Sequence, residues 1–110
     1  MIASEGKNLK NVSVNDNSCN EVTEQFLGML FPYILEAIKE YYGENRAFTN
    51  VKLLELKTTE LGQYSFEAKV QVITFVGAHN PPFGLDTITL RKDLSEITVI
   101  NFEHQIYKFD

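Results

Sequence analysis

The chain has 110 residues, 44% of them apolar, and a formal net charge of −5. That length suits one domain with one sheet and one long helix, and leaves nothing for a second core. Ten Lys and Arg stand against fifteen Asp and Glu without any basic block, which excludes a phosphate-neutralising surface, and no run approaches the ~18 apolar residues of a membrane span.

Residues 1–19, MIASEGKNLKNVSVNDNSC, are rich in Asn, Ser and Lys and hold no period of 2 or 3.6, so they read as a disordered or loosely packed lead-in to a single domain over 20–110. The opening MIASEGKNLK lacks the apolar stretch of a secretory leader. Cys19 is the one cysteine; alone it makes neither an internal disulfide nor a zinc site, and it is read as a bystander.

Residues 20–42, NEVTEQFLGMLFPYILEAIKEYY, predict an amphipathic helix with Asn20 as N-cap and Gly43 just past its end. Val22, Phe26, Met29, Leu30, Ile34, Ala37, Ile38 and Tyr41 form an apolar stripe opposite Glu24, Gly28, Pro32, Glu36 and Glu40. Pro32 removes the amide that would bond to the residue-28 carbonyl, but both positions lie on the solvent stripe. One helix bent at Pro32 is therefore expected rather than two helices.

After Gly43 the period changes to 2. Four strand-like runs follow, 48–58, 64–76, 85–92 and 96 to about 107, joined by TELGQ, GAHNPPFG and DLS. The expected fold class is α+β: one long helix across one face of a four-stranded antiparallel meander. Alternation sends Tyr64, Phe66, Ala68, Val70, Val72, Val76, Ile88, Leu90, Ile100 and Phe102 toward the helix. It leaves Ile73, Phe75, Leu85, Ile97 and Val99 among polar residues on the open face, which is read as an exposed patch or a homodimer interface.

The stretch GAHNPPFGLDT, 77–87, concentrates polar and rigid residues at one end of the sheet. Hairpin counting places Val76 near Leu85 and Asp86 opposite Asn101 or Phe102, with His104 beside Gly84. His79, Asn80, Asp86 and His104 then converge, with Phe83 beside them. A carboxylate orienting an imidazole suits ligand binding or acid–base chemistry. The same residues also serve a stiff turn, with Asn80 and Asp86 bonding loop amides and Pro81 and Pro82 limiting freedom. Asn80–Pro81 and Pro81–Pro82 are the candidate cis bonds. Tyr41 and Tyr42 read as core edge, with lining a pocket beside Phe83 as the alternative. The sequence has no Gly-rich phosphate loop, HExxH, serine nucleophile elbow or paired cysteines, so no metal, no cofactor and no catalytic residue is assigned.

The proline-bearing helix ending Tyr41-Tyr42-Gly43, the run Tyr64-Ser65-Phe66-Glu67 leading to Val70-Gln71-Val72, the stretch His79-Asn80-Pro81-Pro82-Phe83-Gly84-Leu85-Asp86-Thr87-Ile88-Thr89 and the closing Asn101-Phe102-Glu103-His104 together resemble the bacterial family called domain of unknown function 3888. The resemblance covers about 22–104. It implies a short exported protein, secreted or associated with the cell envelope, and supplies no residue roles. The element order is also similar to the cystatin-like and NTF2-like folds, as an analogy of topology. The first functional expectation is a non-enzymatic module binding a protein, peptide or envelope component; the alternatives are a small enzyme or ligand binder using the polar cluster, and a structural homodimer.

Overall fold

The computed structural model describes residues 16–78 and 80–108. One helix, α1 (Asp16–Tyr42), is followed by β1 (Ala47–Glu60), β2 (Ser65–Val76), β3 (Asn80–Lys92) and β4 (Ile97–Ile106). The strands form one antiparallel sheet in the order β1-β2-β3-β4, a meander with α1 packed on one face.

The helix starts four residues before the expected cap at Asn20, so 16–19 belong to it and not to the lead-in; 1–15 lie outside the described residues. The helix opens at Asp16, and no Pro or Gly interrupts the next turn. The helix runs through Pro32 as one element. Gly28 and Pro32 are both exposed, so the carbonyl that Pro32 leaves unbonded has water available. Replacing Pro32 with alanine is expected to raise stability by about 1–3 kcal/mol, because the missing hydrogen bond returns at no cost in burial. Urea denaturation checks this, and a loss of stability would show that the chain depends on the proline. The helix ends where Gly43 takes φ 75° and its N–H donates to the Lys39 carbonyl at 2.8 Å.

The core sits between Leu27, Leu30, Ile34, Ala37 and Ile38 of α1 and Ala68, Val70, Val72, Ile88 and Leu90 of the central strands. Phe26 meets Phe66 edge-on at 5.3 Å, and Phe31 meets Phe48 of β1 at 5.2 Å. The buried stripe is narrower than the sequence stripe. Val22 and Met29 are 68% and 75% exposed, since a single helix on a sheet buries little more than the arc directed at it. Tyr64 has φ 55° in the β1–β2 turn and points to solvent, and Val76 is exposed at the end of β2.

Three features of the sheet depart from simple alternation. First, β3 begins at Asn80, so the expected link 77–84 shrinks to three residues. Pro81, Pro82 and Phe83 lie within β3 at an irregularity between Thr74 and Val76, where no regular ladder bond needs a proline N–H. The Pro81–Pro82 peptide bond is cis. Val76 consequently pairs with Asn80 and Ile73 with Leu85, instead of Val76 with Leu85. Second, the β3–β4 connection occupies 93–96, since Lys92 pairs with Ile97. Third, a bulge at Ile100 separates the pairs Leu90–Val99 and Thr89–Asn101.

The longer connection and the bulge together move Asp86 opposite His104, not Asn101 or Phe102. The bulge also reverses the side-chain parity before it. Ile97 and Val99 therefore share the helix face with Lys92 and Leu90, and Ile97 packs against the core. Of the apolar residues assigned to the open face, Ile73, Phe75 and Leu85 stay there, the first two already buried. Most of the rest of that face is polar, with Glu67 bonded to Arg91 at 2.6 Å and Lys69 within 3.8 Å of Glu55. No described helix is long and apolar enough to cross a membrane.

Candidate functional site

Asp86 stands on β3 in step with Ile88 and Leu90, so alternation drives it into the interior, where it is wholly buried. A carboxylate in that position is tolerated only if its oxygens accept hydrogen bonds. Three elements supply donors. Tyr42, the last residue of α1, donates its hydroxyl to Oδ2 at 2.6 Å. Thr74 of β2 donates its hydroxyl to the same oxygen at 2.9 Å. His104 of β4 places Nδ1 2.6 Å from Oδ1. The Tyr42 hydroxyl also lies 3.0 Å from His104 Nδ1 and 3.3 Å from Thr74 Oγ1, so the four side chains close into one network.

The proton assignments follow from valence. Each hydroxyl has one hydrogen, and both point at Asp86. The neutral imidazole that bonds a carboxylate through Nδ1 carries its proton there, which leaves Nε2 as an acceptor. Among the described residues Nε2 has no hydrogen-bond partner, and the His104 side chain is 27% exposed.

Burial pushes the Tyr42 hydroxyl up to about 12, helped by its bond to the Asp86 carboxylate and opposed by Thr74 and the Arg46 cation. The folded value is above that of the unfolded phenol, near 10. The associated stability is therefore complete below pH 10 and is lost as pH rises through 12. The expected result is an alkaline loss of stability across that window that Tyr42→Phe diminishes. Phenolate absorbance should also show one of the five tyrosines ionising after the others. Equal alkaline profiles for both proteins would contradict a buried hydroxyl.

Two further residues shape the site. Gly84 is buried between Thr74 and Ile106 in the sheet register, and a Cβ there would lie 2.6 Å from Thr74 Oγ1, 2.7 Å from the Tyr42 hydroxyl and 3.0 Å from His104 Cε1. Arg46 is only 8% exposed. Its guanidinium lies 4.1 Å over the Tyr42 ring and donates through Nη2 to the Pro82 carbonyl. Its Nε is buried without a partner, and among the described residues no carboxylate forms an ion pair with it.

Outside the network the surface is aromatic. Tyr41, half exposed, stacks on Phe102 with ring centres 4.3 Å apart, and its ring centre is 5.8 Å from that of His104. A flat apolar surface thus adjoins the imidazole.

Of the residues expected to converge, Asp86 and His104 do so. Asn80 is exposed at the start of β3 and takes no part in the network, while Phe83 is half-buried and accepts from the Tyr107 N–H at 3.0 Å. His79 lies outside the described residues. Gly84 lies beside His104 as expected, Tyr42 enters the network where core edge or pocket lining was expected, and Thr74 and Arg46 were not anticipated. Thr74 carried a signal, since it continues the inward series Phe66, Ala68, Val70, Val72, where a hydroxyl requires a partner. Gly84 carried another, because glycine inside a strand marks close approach.

Thr74 gives its proton to Asp86 and not to His104, so the hydroxyl–imidazole–carboxylate order of a serine-type nucleophile is not formed. Among the described residues no three His, Cys, Asp or Glu side chains converge as a metal site.

The family described as "Protein of unknown function (DUF3888)" matches residues 22–105. The chain belongs to this family. The matched span holds every residue of the network, from Tyr42 to His104, and omits the first turns of α1. No curated protein and no solved structure matches the chain of this DUF3888 member.

Proposed function

We propose that this DUF3888 member is a non-enzymatic, exported module that binds a peptide, protein or cell-envelope component at the Tyr42 end of the sheet. The supporting observation is that a wholly buried Asp86 fixes His104 beside the exposed Tyr41–Phe102 stack. A preset imidazole next to a flat apolar shelf recognises a partner that presents a planar or ring-shaped apolar face and a hydrogen-bond donor for Nε2. Export rests on the family resemblance, and cell fractionation of the native host tests it separately.

NMR titration of labelled protein with soluble peptidoglycan fragments and with extended peptides tests the binding site. The expected result is a shift of Tyr41, Phe102 and His104 resonances by one ligand class, abolished in Tyr41→Ala. Shifts confined to other surfaces, or none with either class, would refute the proposal. A second reading, a small enzyme or small-ligand binder, draws on the 2.6 Å approach of His104 to Asp86, which suits a general base. Consumption of a titrated ligand, lost in His104→Ala, would favour it.

A further inference from the structure

Two charged side chains are buried at the Tyr42 end of the sheet, and they are satisfied very differently. Asp86 accepts from Tyr42, Thr74 and His104. Arg46, 8% exposed, has one hydrogen bond among the described residues, from Nη2 to the Pro82 carbonyl. A guanidinium has five N–H groups, and arginine is almost never buried to this extent without a paired anion. The chain has fifteen Asp and Glu, yet among the described residues none forms an ion pair with Arg46. Glu44, two residues away, is exposed. Arg46 Nε is sealed from solvent without an acceptor; Nη1 also lacks one among the described residues, but it is not sealed.

The sheet register adds a second donor. β1 opens at Ala47 opposite Phe75, so Arg46 stands level with Val76, whose partner on β3 is Asn80. Asn80 is exposed, and its side-chain nitrogen lies 3.4 Å from where a Cβ on Gly77 would stand. An exposed amide therefore stands at the same level of the sheet as the buried cation.

We infer that Arg46 takes its counter-ion from a bound ligand, as a carboxylate held between the α1–β1 link and the start of β3. The inference rests on the binding role proposed above and specifies the chemistry of what is bound: a monoanion that also carries the planar apolar group suited to the Tyr41–Phe102 shelf. The carboxylate engages Nη1, supplies the counter-charge that the buried Nε–H lacks, and accepts from the Asn80 amide. The Tyr42 ring, 4.1 Å from the guanidinium, covers one of its faces, so its N–H groups are oriented before the ligand arrives. Charge selects carboxylate over phosphate. Arg46 stands just past the C-terminal, negative end of α1 in a chain of net −5, which opposes a dianion more than a monoanion, and a carboxylate carries the single charge that one guanidinium matches.

The test is an NMR titration with two forms of one peptide, acetyl-Ala-Phe-Ala, ending in a free carboxylate or in an amide. The expected result is that the acid form binds about tenfold tighter or more, moves the Arg46 Nε–H resonance, and loses its advantage in Arg46→Met. Tyr41→Ala should weaken both forms alike. If Arg46→Met does not fold, the acid-over-amide ratio and the Nε–H shift of the unaltered protein decide. Equal affinity for the two forms, or an advantage of the acid that survives in Arg46→Met, overturns the inference and leaves the binding role standing. Binding of neither form overturns it too, and the peptidoglycan fragments titrated above then show whether the binding role survives. Inorganic phosphate that displaces the acid form better than acetate does, at equal ionic strength, overturns the choice of carboxylate and with it the inference.

Discussion

Asp86→Ala is expected to remove about 3–5 kcal/mol of stability, a large share of the 5–15 kcal/mol typical of a domain. The substitution leaves the Tyr42 and Thr74 hydroxyls and His104 Nδ1 without their acceptor, and each buried unsatisfied group costs about 1–3 kcal/mol. Removing a buried negative charge also recovers a desolvation cost, which opposes the loss. The loss prevails because three donors are stranded at once and because Arg46, packed on the Tyr42 ring, keeps its buried charge while the network loses its anion. Asp86→Asn retains the shape and one acceptor, so it should cost less, about 1–3 kcal/mol. Chemical denaturation of the three proteins decides this; a loss below about 1 kcal/mol for alanine would mean that the network does not hold the helix end to the sheet.

Gly84→Ala is the second large effect, about 2–4 kcal/mol, and one methyl group causes it. The new Cβ would meet Thr74 Oγ1 at 2.6 Å and the Tyr42 hydroxyl at 2.7 Å, and both of those atoms are already tied to Asp86. Neither side chain is able to give way without lengthening a short hydrogen bond. Gly84 has no left-handed backbone, so the cost is steric rather than conformational. A fall in the thermal midpoint of roughly 10–25 °C is expected. In contrast, alanine at Gly28, where a Cβ meets nothing within 4 Å, should be neutral or stabilising. Equal behaviour at the two glycines would rule out a close-packed site.

The element order, the helix end at Gly43 and the apolar core of the central strands were legible because each rests on a local period or a single residue type. Tyr42 and Thr74 were not joined to Asp86 and His104, because their meeting depends on register across three strands and a helix. Two single-residue events control that register, the four-residue connection 93–96 and the bulge at Ile100, and neither interrupts the apolar pattern of β4. Without them Asp86 is misplaced by two residues and Ile97 and Val99 fall on the wrong face. The stretch containing Pro81 and Pro82 misled for a different reason. Two prolines argue against a central strand, and only the irregularity opposite Phe75 lets β3 include them.

Beyond the core that runs between them, two specific contacts mark the ends of the packed helix: Phe26 against Phe66 near one end and Tyr42 against Asp86 at the other, about 24 Å apart along the axis at 1.5 Å per residue. The intervening segment works as a ruler. One residue added between Ile38 and Tyr42 would turn the hydroxyl by about 100° away from its carboxylate, whereas residues added ahead of Val22 would leave both contacts in place. Length is therefore free to vary, or to accept a fused domain, before Val22, and is fixed from Phe26 to Gly43.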